Sequence, residues 1–78
     1  MADIDQEARK IIAKISQRDI NEVTPDKLLF EDLCLDSLKG QELLSRLSQK
    51  YNIDIPDEKL AEIHTVNDVA DLIKSYLK

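Results

Sequence analysis

Seventy-eight residues carry 16 acids against 11 bases, a net charge of −5, with one glycine, two prolines, one cysteine, one histidine and no tryptophan. A chain this short builds one small core and leaves little surface to enclose a substrate, so a single domain over 1–78 that is not an enzyme is expected; its acidity excludes a nucleic-acid backbone as ligand, and apolar runs no longer than Leu28-Leu29-Phe30 exclude membrane insertion. One Cys and one His supply neither an internal disulfide nor a closed metal site, and Asp3 and Asp5 stand where a leader would carry positive charge, which points to a cytoplasmic protein.

Ile4, Ala8, Ile11, Ile12 and Ile15 share one helical face, and Asp3 with Gln6 resembles a capping box, which predicts a first helix over 4–17. Residues 18–36 are too long for an ordinary connection. Ile20, Val23, Leu28, Leu29, Leu33 and Leu35 are expected to dock this stretch on the core, with a short helical turn following Thr24-Pro25. Asp36 or Ser37 starts a second helix whose expected inward face is Leu38, Leu44, Leu47 and Tyr51, with Leu43 alongside and Gln41 on the same stripe. Gly40 inside it costs roughly 1 kcal/mol against alanine.

Asn52 to Pro56 breaks that helix, and a short third one is expected over 57–63. Thr65 with Asp68 caps a last helix burying Val66, Val69, Ala70, Ile73, Tyr76 and Leu77. Leu and Ile dominate the apolar set while turn formers and aromatics are scarce, which disfavours a β-sandwich or barrel. The expected fold is all-α, a four-helix bundle with three longer helices, one short helix and a long structured loop between the first two.

Charge is uneven along the chain. Residues 21–38 hold five acids and one lysine, residues 39–51 hold Lys39, Arg46 and Lys50 against Glu42, and residues 52–72 hold six acids and one lysine. The second helix reads as a mildly basic rod between acidic segments, either a solvated face or a docking surface whose sign selects partners.

The informative string is Glu31-Asp32-Leu33-Cys34-Leu35-Asp36-Ser37-Leu38. Asp and Ser are favoured N-caps, so one of them at a helix start has an ordinary structural explanation. A phosphate joined to Ser37, however, would lie at the positive end of a helix dipole, beside free backbone N–H groups. The serine is expected to be exposed because its neighbour Leu38 takes the inward direction.

Asp36-Ser37-Leu38 resembles the Asp-Ser-Leu motif of the acyl carrier proteins. Glu42-Leu43, Leu47 and Tyr51, then Ile55-Pro56-Asp57-Glu58, then the stretch from Ile63 to Asp68, are similar to the family's second helix, Ile-Pro-Asp turn and entrance to its last helix. The resemblance covers nearly the whole chain. It implies that a phosphopantetheinyl transferase, with coenzyme A and Mg²⁺, attaches 4′-phosphopantetheine to the Ser37 hydroxyl. Acyl groups then ride as thioesters to acyl-loading and acyl-processing enzymes of fatty acid, polyketide or related lipid biosynthesis, the carrier working as a monomer. The partner-binding residues so implied are Asp36, Leu38, Lys39, Gln41, Glu42 and Arg46, with Leu38 anchoring the helix start.

Three residues depart from the family pattern. Cys34 replaces a common glycine, Lys39 a usual acid and Gln41 a small apolar residue, and Arg46 and Lys50 further dilute the acidity that fatty-acid-synthase enzymes typically recognise. These departures point to a specialised carrier, with Gln41 polarising the mouth of the acyl cavity. The other class of function that fits is an unmodified acidic helical interaction module with the same fold. Cys34 is expected as a small residue packed in its loop, and His64 in the connection before the last helix. A Ser37–His64–Asp triad lacks an oxyanion-hole motif, and Asn52-x-Asp54-x-Pro56 fails as a Ca²⁺ loop because Asp57 stands where glycine is needed.

Overall fold

Asp3 opens the first helix, α1 (Ile4–Ser16), by accepting a hydrogen bond from the Asp5 N–H at 3.1 Å. The expected box with Gln6 does not form, because the Asp3 carboxylate turns to the second rather than the third helical N–H. The computed structural model describes residues 3–77. Gln17 ends α1 in the left-handed region, φ 58°, where its N–H reaches the Ala13 and Lys14 carbonyls. The buried face is Ala8, Ile12, Ala13 and Ile15; of the expected face Ile4 and Ile11 are half-buried, and Ala13, which was not expected there, is buried.

The connection that follows is fastened at several points. Asp19 and Glu22 form a reciprocal capping box around a 3₁₀ turn at Ile20–Glu22. Arg9 reaches across from α1, donating from Nε to the Val23 carbonyl at 2.7 Å and from Nη2 to the Ile20 carbonyl at 3.2 Å. A single turn follows Thr24-Pro25, closed by the Lys27 N–H on the Thr24 carbonyl at 3.1 Å, but it does not become helical; the 3₁₀ helix lies upstream. Thr24 does not cap: its hydroxyl donates to Asp26 Oδ1, and the next residues are drawn into pairing with a distant segment. Leu28 and Thr65 form an isolated antiparallel bridge, with Leu29 N–H on the His64 carbonyl at 2.8 Å and Val66 N–H on the Lys27 carbonyl at 3.0 Å. Val23, Leu29, Leu33 and Leu35 are thereby buried.

The second helix, α2 (Ser37–Tyr51), ends at Asn52, which takes φ 55° and returns its N–H to the Ser48 carbonyl. Its buried face is Gly40, Leu43, Leu44 and Leu47, with Tyr51 half-buried. Leu38 corrects the expected phase, because it is 76% exposed. At 100° per residue Leu38 lies some 160° from Gly40, which joins the expected Leu43, Leu44 and Leu47 in the core. Gln41 is likewise exposed.

The short third helix is a 3₁₀ turn, Asp57–Ala61, two residues shorter than expected. Pro56 precedes it without a side-chain acceptor for the first N–H groups, and Ile63 is pulled into the core beyond its end. The last helix, α3 (Val66–Tyr76), carries the expected capping box of Thr65 and Asp68. It buries Val66, Val69, Ala70 and Ile73; Tyr76 is half-buried, and Leu77, at the cap beyond the last turn, is exposed. α1 packs against both α2 and α3, and α2 also packs against the second 3₁₀ turn. The all-α expectation holds, with three α-helices and two 3₁₀ turns among the described residues.

Candidate functional site

The start of α2 separates two duties that the sequence alone left open. Asp36 is the N-cap: its backbone is extended, its Oδ1 accepts the Lys39 N–H at 2.8 Å, and its carbonyl accepts the Gly40 N–H at 2.8 Å. Ser37, the first helical residue, is exposed. Its hydroxyl has no hydrogen-bond partner among the described residues, and neither do the Ser37 and Leu38 N–H groups. A nucleophilic oxygen thus stands beside free donors at the positive end of a fifteen-residue helix dipole.

Cys34, three residues upstream, adopts φ 58°. This is the left-handed conformation that a glycine takes without penalty and that a cysteine takes at a cost. The thiol is exposed, not packed in the loop as expected, because that backbone turn sends Leu33 and Leu35 to the core and Cys34 outward. Arg18 Nη2 stands 3.7 Å from its Sγ while Nη1 approaches Glu22 at 3.8 Å. Nothing in the local sequence around either residue signals the Arg18 contact.

The cations attributed to α2 are individually engaged. Arg46 pairs with Glu42 at 2.9 Å one turn earlier, Lys50 with Glu7 of α1 at 3.1 Å, and Lys39 Nζ donates to the Ile15 carbonyl at 3.4 Å, near the negative end of α1. Lys50, with Lys10, holds the Glu7 carboxyl below the ordinary carboxylate range. The mildly basic rod is thus a helix whose charges are matched by neighbours.

Gly40 allows a close approach that a side chain would obstruct. A Cβ built there would lie 2.8 Å from Leu60 Cδ2, so the second 3₁₀ turn seats its one leucine directly on the α2 backbone. Of the sequence-derived residues, Asp36, Ser37, Leu38, Gln41, Glu42 and Arg46 are all exposed on or beside α2, whereas Lys39 is half-buried toward α1. His64 is exposed in the link before α3, and its N–H donates to Asp68. The described residues contain no cluster of three metal-ligating side chains and no helix long and apolar enough to cross a membrane.

Residues 6–73 match the family model described as "Phosphopantetheine attachment site". The chain is similar to an acyl carrier protein of Rickettsia bellii, 34% identical over 73 residues and covering 94% of this chain and 85% of that one. A second relative, an acyl carrier protein of Helicobacter hepaticus, is 37% identical over 70 residues, covering 90% and 92%. Among solved structures, a putative acyl carrier protein from Mycobacterium tuberculosis superposes with a TM-score of 0.85 at 27% identity, covering 95% of this chain and 99% of that one. The HMG-ACPI domain of the CurA module from Lyngbya majuscula shares the fold, with a TM-score of 0.81 at 24% identity over 94% of this chain and 74% of the other.

Proposed function

The chain belongs to the acyl carrier proteins, the family defined by a phosphopantetheine attachment site, and on that premise we propose that Ser37 Oγ is the atom that bears its 4′-phosphopantetheine. Members of the family are carriers, not enzymes, and hold this group covalently. The observation that carries the assignment is the division of labour at the start of α2. Asp36 does the capping, so Ser37 has no structural duty and its hydroxyl is exposed and unbonded. An unmodified interaction module would have no use for a free serine there.

Each residue contributes in a way that follows from its place. Ser37 presents the accepting hydroxyl; the transferase, with coenzyme A and Mg²⁺, supplies the base, so the chain needs none of its own. The N–H groups of Ser37 and Leu38 and the helix field are the donors available to a phosphodiester oxygen. Asp36, fixed by the Lys39 N–H, holds a carboxylate next to the serine for a basic transferase surface. When attached, the arm supplies a flexible tether ending in a thiol that carries acyl groups as thioesters. The chain then works as a monomeric single carrier domain in the cytoplasm, serving acyl-loading and acyl-processing enzymes of fatty acid, polyketide or related lipid biosynthesis.

Intact mass spectrometry after incubation with coenzyme A, Mg²⁺ and a broad-specificity transferase tests the assignment. The wild type is expected to gain one phosphopantetheinyl group and Ser37→Ala none, with stability within about 0.5 kcal/mol of wild type because no hydrogen bond is lost. No gain in the wild type, or an equal gain in the variant, sinks it.

A further inference from the structure

The first buried residue after Ser37 is Gly40, one turn along α2. At 100° and 1.5 Å per residue the two stand about 60° apart around the helix and about 4.5 Å apart along it. The other flank of the helix start is covered by Lys39, whose Nζ donates to the Ile15 carbonyl at 3.4 Å. The route from the Ser37 hydroxyl to the apolar interior therefore runs past Gly40, whose missing side chain leaves a notch in the wall of the bundle. Leu60 fills that notch: its Cδ2, Cδ1 and Cγ would lie 2.8, 3.5 and 3.7 Å from a Cβ placed there. Leu60 is half-buried, on a turn that packs against α2 and is anchored on either side by the buried Ile55 and Ile63. Farther along α2, Leu43, Leu44 and Leu47 are fully buried, and the described residues surround no cavity and bury no polar side chain.

We propose that Leu60 is a stopper that keeps an acyl group borne on Ser37 outside the bundle, and that the chain is thereby fitted to short or polar acyl groups, which need no apolar shelter. The inference rests on Ser37 being the attachment residue and adds the class of cargo. To enter beside Gly40, an acyl chain must push Leu60 off the α2 backbone into water. It must bury about four carbons, as many as the leucine side chain carries, only to break even. Because Ile55 and Ile63 hold the turn and the interior is already filled, deeper entry also separates side chains that now touch. Short acyl groups have too few methylenes for this exchange. Polar substituents on an acyl chain would give up hydrogen bonds to water and meet no polar side chain inside.

The test compares two forms of the full chain, loaded by a broad-specificity phosphopantetheinyl transferase from acetyl-coenzyme A or from octanoyl-coenzyme A. Wild type and Leu60→Ala are both measured, with circular dichroism confirming that the variant folds. The readouts are the urea unfolding midpoint and the amide resonances of Gly40, Leu44 and Ile63. In the wild type the two forms are expected to unfold within about 0.3 M urea of each other and to share those resonances. In Leu60→Ala, which opens the notch, the octanoyl form is expected to unfold about 1 M later than the acetyl form and to shift all three resonances. An octanoyl wild type stabilised by about 1 M, or with shifted interior resonances, places the chain inside and overturns the proposal while leaving Ser37 in place, whether or not the variant folds. No difference between the two forms of a folded Leu60→Ala overturns Leu60 as the stopper. A wild type that takes up neither group, or a Ser37→Ala variant that takes them up equally, removes the attachment reading and this one with it.

Discussion

Replacing Cys34 by glycine is expected to stabilise the fold, although it deletes a side chain and a contact. At φ 58° a cysteine sits in the left-handed region, where a residue with a Cβ pays about 1–2 kcal/mol and glycine pays none. Against this relief stands the larger freedom of glycine in the unfolded chain, about 0.4–1 kcal/mol. The lost contact with Arg18 is a long, exposed N–H···S interaction at 3.7 Å and contributes little. At the middle of these ranges the net is a gain of about 0.8 kcal/mol, which raises Tm by about 3–6 °C in a domain of this size. Thermal and urea unfolding followed by circular dichroism, at pH 7 with a reductant, measures it. Cys34→Ala is the control, because it removes the thiol yet keeps the Cβ and its penalty, so its Tm should match the wild type or fall slightly below. A fall in Tm for Cys34→Gly refutes the backbone argument, and so does an equal rise for Cys34→Ala.

Two further outcomes follow from the packing and the caps. Gly40→Ala gains about 1 kcal/mol in helix propensity but drives its Cβ to 2.8 Å from Leu60 Cδ2, so it should stabilise fully only in a Leu60→Ala background; a double-mutant cycle in urea should show a coupling of about 1 kcal/mol, and zero coupling contradicts the seating of Leu60. Asp68, held below the ordinary carboxylate value by the His64 and Thr65 N–H groups, binds its proton less readily folded than unfolded. Its stabilising effect is therefore present above about pH 4 and fades as pH falls through the lowered folded value. The Tm difference between wild type and Asp68→Ala should be full at pH 7 and shrink toward pH 2; a difference that is constant with pH rules this out.

Much of the architecture was legible because it depends on local chemistry. The face of α1, the Thr65–Asp68 box and the break at Asn52 each follow from residues within one or two turns of one another. Leu43, Leu44 and Leu47 were placed inward as expected, but Leu38 and Gln41 were not, because Leu38 is apolar and starts the helix, and a leucine there mimics a core residue. Gly40, which has no hydrophobic signal, is the residue that faces inward. The 3₁₀ turn lay upstream of Thr24-Pro25 because residues 25–29 pair with residues 64–67, far along the chain, a contact that no short window reveals. At the candidate site a cap at Asp36 or Ser37 was readable but not which of the two supplies it, and the exposure of Cys34 and the pairing of the α2 cations arose only when α1 and the loop were placed.

On α2 the buried and the exposed side chains fall on opposite sides of the helix, with the half-buried Lys39, Ser48 and Tyr51 between them. The buried set (Gly40, Leu43, Leu44, Leu47) and the outward set (Leu38, Gln41, Glu42, Ser45, Arg46, Gln49) share no member. Substitutions confined to the outward set should therefore leave folding free energy nearly untouched and add independently of changes in the core. Divergence in which enzymes a carrier serves can then proceed by single steps, each free of the stability threshold that constrains most protein evolution. A scaffold divided in this way lets a lineage exchange partners while keeping its fold.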